Sequence, residues 1–188
     1  MIIKIRYLWE FSLVLIVYTF SFWIIDFFIM PMQLKYFAFV SEHICLLFLP
    51  HAVRLLTIWL YGFKGLIYML IVTQFSYYLI YDNHPTAYLH FIGPFVAPVT
   101  AYCLLELFKR YGLNPYEIKN WKTLISVGIL VSFIHGYLLA LIYGFPNDTF
   151  LNTLYYAIGD LNGLLLALLF LFGYFRIERL FSKSLPDR

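Results

Sequence analysis

The sequence predicts an all-α fold, a polytopic integral membrane helical bundle of about six transmembrane helices with the N-terminus and C-terminus cytoplasmic. Three observations carry that expectation. Of 188 residues, 63% are hydrophobic and only 12% are charged, against roughly a quarter charged in soluble domains. Apolar stretches of the ~20 residues that a bilayer core of about 30 Å demands recur along almost the whole chain. Lysine and arginine, finally, fall almost entirely on one side of the membrane once those stretches are threaded through it.

The first helix is expected over 7–30. Lys4 and Arg6 ahead of the apolar run from Phe11 to Ile25 imitate a secretory leader, but no small-residue cleavage site follows and further spans do. It reads as an uncleaved first span. "PMQLK" (31–35) ends it, and a second helix is expected over 40–61, closed by the "GFKG" turn at 62–65. The third covers 65–81, and "YDNHPTA" (81–87) separates it from a fourth over 88–108. "KRYGLNPYEIKNWK" (109–122) leads to a fifth over 123–143, and "GFPNDT" (144–149) to a sixth over 152–175. Each connection holds the Gly, Pro, Asn or Asp at which helices stop. No linker or low-complexity tract interrupts them, so residues 1–188 form a single transmembrane domain.

Placing the N-terminus inside puts Lys4, Arg6, Lys64, Lys109, Arg110, Lys119, Lys122, Arg176, Arg179, Lys183 and Arg188 in the cytoplasm. Only Lys35 falls outside, and Arg54 lies within a span. Asp82 and Asp148 occupy the outer loops. This asymmetry supports six crossings over five or seven.

Composition and motifs also exclude. A net charge of +3 is spread over short loops without a basic face, so no nucleic acid partner is expected. Cys45 and Cys103 both fall in spans without a CxxC, which indicates neither a disulfide framework nor a zinc site. No HExxH, paired carboxylates at catalytic spacing, Ser–His arrangement or phosphate-cradling loop appears, so no catalytic residue and no enzyme are expected. Aromatic side chains face lipid or form interface belts, with Trp9, Trp23, Trp59 and Trp121 near span ends.

Depth then gives the polar residues their meaning, because lipid cannot solvate an ionisable group near mid-bilayer and such a residue marks a functional site by default. Four qualify: His51 and Arg54 in the second helix, His135 in the middle of the fifth, and Asp160 about two turns into the sixth. His51 and Arg54 are three residues apart, so they share a face that has to point into the bundle. Arg54 cannot shed its proton and must find a carboxylate, a set of carbonyls or a bound anion. Asp160 is the nearest acid by depth, with Asp26 and Glu42 closer to the outer surface, so an Arg54–Asp160 ion pair is the simplest arrangement. Such a pair either fixes helix register, worth about 1 kcal/mol, or lines an outward-opening pocket; the sequence leaves both open.

Pro50 removes a backbone N–H and its ring disrupts the preceding turn, so the second helix is expected to kink or break there. Carbonyls around Leu46 would then need a partner. Broken membrane helices are tolerated where they line protein or a cavity, a simple packing kink being the alternative. "GDLNG" (159–163) sets Gly159 and Gly163 at GxxxG spacing while Asp160 and Asn162 offer hydrogen bonds, which makes the sixth helix the partner of the second. Gly93, Pro94 and Pro98 predict a bent or partly unwound outer half of the fourth. His43, His84 and His90 are expected near the outer surface. The candidate ligand-binding cluster is therefore His51, Arg54, His135, Asp160 and Asn162, shaped by Pro50, Pro94, Pro98, Gly159 and Gly163; neither a metal nor a cofactor is expected.

"FLPHAVRLLTIWLYGFKGLIYMLIVTQF" (48–75) resembles the second and third helices of the MASE1 family of bacterial membrane sensory domains, and "YAIGDLNGLLLALLFLF" (156–172) is similar to that family's late helix. Pro50 and Asp160–Gly163 carry the likeness. It implies a multi-pass protein of the bacterial cytoplasmic (inner) membrane that senses a small ligand. Family members have about eight helices and precede a kinase or cyclic-di-GMP output domain, so here the output would come from a partner chain. Six helices in 188 residues are also similar to the S components of energy-coupling-factor transporters, which implies ATPase partners. A third expectation is a haem-binding cytochrome with His51 and His135 as axial ligands.

Overall fold

In a computed structural model, residues 2–37, 40, 44–81, 87–113, 116, 120–142 and 149–184 are described. All regular structure among them is helical. Six rods result: α1 (Ile2–Ile24, a π-helical turn Ile25–Ile29, then Met30–Tyr36), α2 (Leu49–Tyr61), α3 (Phe63–Tyr81), α4 (Ala87–Arg110), α5 (Trp121–Ile142) and α6 (Thr149–Ser184). Four stretches are long and apolar enough to cross a membrane: Ile5–Tyr36, Ile92–Arg110, Trp121–Ile142 and Thr149–Arg176. The outer-loop expectations at Glu42, His43, Asp82, His84 and Asp148 lie outside the described residues.

The first two helices depart from their expected limits, and proline explains both departures. "PMQLK" does not end the first helix, which runs on to Tyr36. Pro31 lacks the N–H that would reach the Phe27 carbonyl, and the helix accommodates this by widening into the π turn at Ile25–Ile29 rather than stopping. The second helix, by contrast, does not begin near 40 but at Leu49, with Pro50 in its first turn, where a missing N–H costs nothing. Residues 44–48 are irregular backbone. At 13 residues α2 is about 20 Å long, too short to cross a bilayer by itself.

This short helix is the centre of the bundle. It packs on α1, α3, α4 and α6, and Pro50, His51, Ala52, Arg54, Leu55, Thr57, Ile58 and Trp59 are all buried on it. Trp59 is thus a core residue rather than a belt residue; Trp9, Trp23 and Trp121 are exposed. Around α2 the apolar core gathers Tyr18 and Phe22 from α1, Met69 and Val72 from α3, Ala101 and Leu105 from α4, Leu124, Val127 and Val131 from α5, and Leu164 from α6. The turn into α3 is made at Gly62, whose φ of 58° strains any residue with a Cβ.

Pro94 and Pro98 lie inside α4, which stays helical across Ala87–Arg110, so the partly unwound outer half is not observed. Thr73 Oγ1 of α3, whose hydrogen goes to the Met69 carbonyl of its own helix at 2.6 Å, lies 3.1 Å from the Pro94 carbonyl.

At the level of the α2–α3 turn, Lys64 pairs with Glu10 of α1 and sits over the rings of Tyr7, Tyr61 and Tyr68, 4.6, 5.1 and 5.6 Å from their centroids. The hydrogen-bonded carboxylate holds the Lys64 ammonium above its ordinary pKa. A raised lysine pKa means this contribution is complete at neutral pH and is lost only as pH rises through the lysine range. Lys64→Met is expected to lower the melting temperature in detergent by on the order of a few degrees. Glu10→Gln should do the same, and the double variant should lose no more than either alone.

Candidate functional site

The irregular segment before α2 exposes backbone groups inside the bundle, and each needs a partner. Gln33 of α1 supplies two, its amide donating to the Ile44 carbonyl at 2.5 Å and its oxygen accepting from Leu46 N–H at 2.7 Å. Asn162 of α6 donates to the Leu46 carbonyl at 2.9 Å, and Phe48 N–H donates to the Gly159 carbonyl at 2.9 Å. The carbonyl freed near Leu46 thus finds its partner on the sixth helix.

GxxxG spacing makes this possible. A Cβ at Gly159 would lie 1.9 Å from the Cys45 carbonyl oxygen, and one at Gly163 2.2 Å from that of Phe48. The non-helical backbone therefore lies directly on α6, in the middle of its apolar stretch Thr149–Arg176.

Immediately after that break come His51 and Arg54. His51, Arg54, His135 and Asp160 are 0%, 4%, 4% and 2% exposed, so the four converge in the interior. Their pairing differs from the expected one. Asp160 Oδ2 faces two imidazoles, His51 Nδ1 at 3.0 Å and His135 Nδ1 at 3.3 Å, and no Arg54–Asp160 ion pair forms. Ser132 of α5, which carries no charge to betray it in the sequence, sits 3.4 Å from His51 Nε2.

Arg54 turns instead to α1, where its Nη2 donates to the Tyr18 hydroxyl at 3.4 Å. Its Nε and Nη1 are buried with no hydrogen-bond partner. Nothing in the sequence singles out Tyr18, because a tyrosine in an aromatic-rich span reads as lipid-facing. Asn162 falls outside the cluster: it is two residues from Asp160, on another face of α6, and serves the Leu46 carbonyl from an exposed position.

At the far end of the bundle, Tyr116 donates to Glu106 at 2.8 Å, and Lys109 lies 3.6 Å from the same carboxylate. Burial, reinforced by the Glu106 carboxylate, pushes the Tyr116 phenol up from its ordinary pKa. These contacts tie Tyr116 to the end of α4 and are remote in sequence from the buried cluster.

The arrangement offers chemistry of one kind. It joins a permanent cation with two open donors to a carboxylate and two imidazoles, all screened from solvent at the start of a helix whose N-terminal N–H groups favour negative charge. Comparison of the chain with protein-family models, with curated proteins and with solved structures finds no match.

Proposed function

We propose that this chain is an integral membrane module that binds a small anionic ligand in its interior and acts as a sensor through a partner chain. In this reading it makes six passes through a bacterial cytoplasmic membrane with both termini inside, the second made by α2 together with the irregular segment 44–48 that precedes it. The observation that carries it is Arg54, an obligate cation 4% exposed whose Nε and Nη1 have no protein partner. Leaving buried donors of a charged group unsatisfied is costly, and a ligand oxygen is what they fit. The two segments that resemble MASE1 domains support the sensory assignment, because Pro50 directly precedes His51 of this site and the Asp160–Gly163 stretch supplies its carboxylate.

A transport reading uses the same pocket. Its support is the break before Leu49, since transporters place discontinuous helices around their substrates with helix N-termini toward anionic groups. The two readings differ in partner, a kinase or cyclase against an ATPase.

Binding is tested by melting the purified chain in mild detergent with chloride, acetate, succinate, sulfate or phosphate at constant ionic strength. An anion present at 100 times its Kd stabilises by about 2.7 kcal/mol. At least one is expected to raise the melting temperature of the native chain and to leave Arg54→Gln unmoved. A flat response to every anion, or an identical response in the variant, contradicts the reading.

A further inference from the structure

The hydrogens around a neutral His51 do not close through protein contacts alone. Ser132 Oγ donates to the Gly128 carbonyl at 2.8 Å, which uses its one hydrogen. In its 3.4 Å contact with His51 Nε2 the imidazole is therefore the donor and the hydroxyl the acceptor. A neutral His51 then turns a bare Nδ1 lone pair toward Asp160 Oδ2 at 3.0 Å. Two acceptors at that distance repel, and Nδ1 is buried without a hydrogen-bond partner. A proton that makes His51 an imidazolium resolves the conflict, and so does a metal ion held between the two atoms.

The surroundings fit a metal ion. His135 Nδ1 approaches the same oxygen at 3.3 Å, and one ligand atom from each of His51, His135 and Asp160 lies within 4.8 Å of the other two. Zinc holds imidazole nitrogen and carboxylate oxygen at about 2.0–2.2 Å in a tetrahedron, which sets ligand-to-ligand edges of about 3.3 Å. The observed 3.0 and 3.3 Å separations are close to that edge. Ser132 then serves as the outer partner that fixes the tautomer of a ligating histidine.

We propose that His51, His135 and Asp160 form a three-ligand site for a divalent transition metal ion of the zinc class, with a fourth position open to an exogenous ligand. This goes beyond the anion reading and stands on different atoms. The two are compatible in charge. A divalent ion beside one carboxylate and one guanidinium leaves the interior positive, so an oxyanion suits both the open metal position and the open donors of Arg54.

The full chain, purified in mild detergent and stripped with a chelator, is titrated with cobalt(II) and then with zinc. The expected result is one cobalt per chain with the intense visible bands of tetrahedral coordination, bleached by one equivalent of zinc. Ser132→Ala is expected to weaken binding by about tenfold, and His135→Asn to abolish the bands. If His135→Asn fails to fold, the native chain and Ser132→Ala decide the matter. No stoichiometric cobalt uptake by the native chain at micromolar concentration overturns the proposal, as do bands that persist in folded His135→Asn. Melting the chelator-treated chain with phosphate separates the two readings: cobalt uptake without any anion response sinks the anion reading alone, and an anion response without cobalt uptake sinks the metal site alone.

Discussion

Asp160→Asn is expected to destabilise the chain by about 3–5 kcal/mol, the cost of leaving one member of a buried charge pair without compensation. Among the described residues only two acids are buried, Glu10 and Asp160. Glu10 is engaged by Arg6 and Lys64 about two turns before Tyr18 on α1. The negative charge that balances Arg54 in the interior is therefore Asp160, although the two make no direct pair. Asparagine keeps the shape and removes the charge. Its amide also meets two imidazole nitrogens with an arrangement of donors and acceptors that the carboxylate did not have to satisfy. Adding Arg54→Met to Asp160→Asn removes the stranded cation and is expected to recover most of the loss, since replacing both members of such a pair is often near neutral. Denaturant unfolding in detergent, with chelator present, measures all three variants. A single variant within about 1 kcal/mol of the native chain, or a double variant worse than the single, would remove charge balance as the organising force.

Gly159→Ala carries the second large effect, expected at about 3 kcal/mol. The added methyl would fall 1.9 Å from the Cys45 carbonyl oxygen and 3.1 Å from its carbon, both backbone atoms that cannot rotate away. Overpacking of this kind costs about 1–3 kcal/mol. The segment it displaces is held by the Phe48 N–H to Gly159 carbonyl bond, worth about 1 kcal/mol more. Gly163→Ala meets Phe48 in the same way at 2.2 Å, whereas a Cβ at Gly173 of the same helix touches nothing within 4 Å. Gly173→Ala is the control and is expected to be neutral or slightly stabilising, since alanine is the better helix former. Unfolding midpoints that rank all three together would refute the close packing of the irregular segment on α6.

Much of this was legible in the sequence because lipid makes polar residues conspicuous. His51, Arg54, His135 and Asp160 stand out from an apolar background, and the structure brings all four into the interior. Pro50 marked the break, and GxxxG marked the helix that receives it. Hydrophobic patterning fails at residues 44–48 for a physical reason: a uniformly apolar segment shows no period, so "ICLLF" reads equally as helix or as extended backbone. Only its hydrogen-bond partners distinguish the two, and Gln33 reads as a loop residue because Pro31 looks like a helix end. The pairing within the cluster was illegible as well. Depth places residues at one level of the membrane but not around the helix axis, and the choice between Asp160 and Tyr18 as the partner of Arg54 is made by rotation.

The central claim is that the interior cluster is built for a ligand rather than closed on itself. Purification of the chain from native membranes in mild detergent, with mass spectrometry of the small molecules it releases, tests that most directly. The account predicts a small anion released in about equimolar amount from the native chain and missing from folded Arg54→Gln. Release of no anion from the native chain, or of the same anion in the same amount from both, would contradict it.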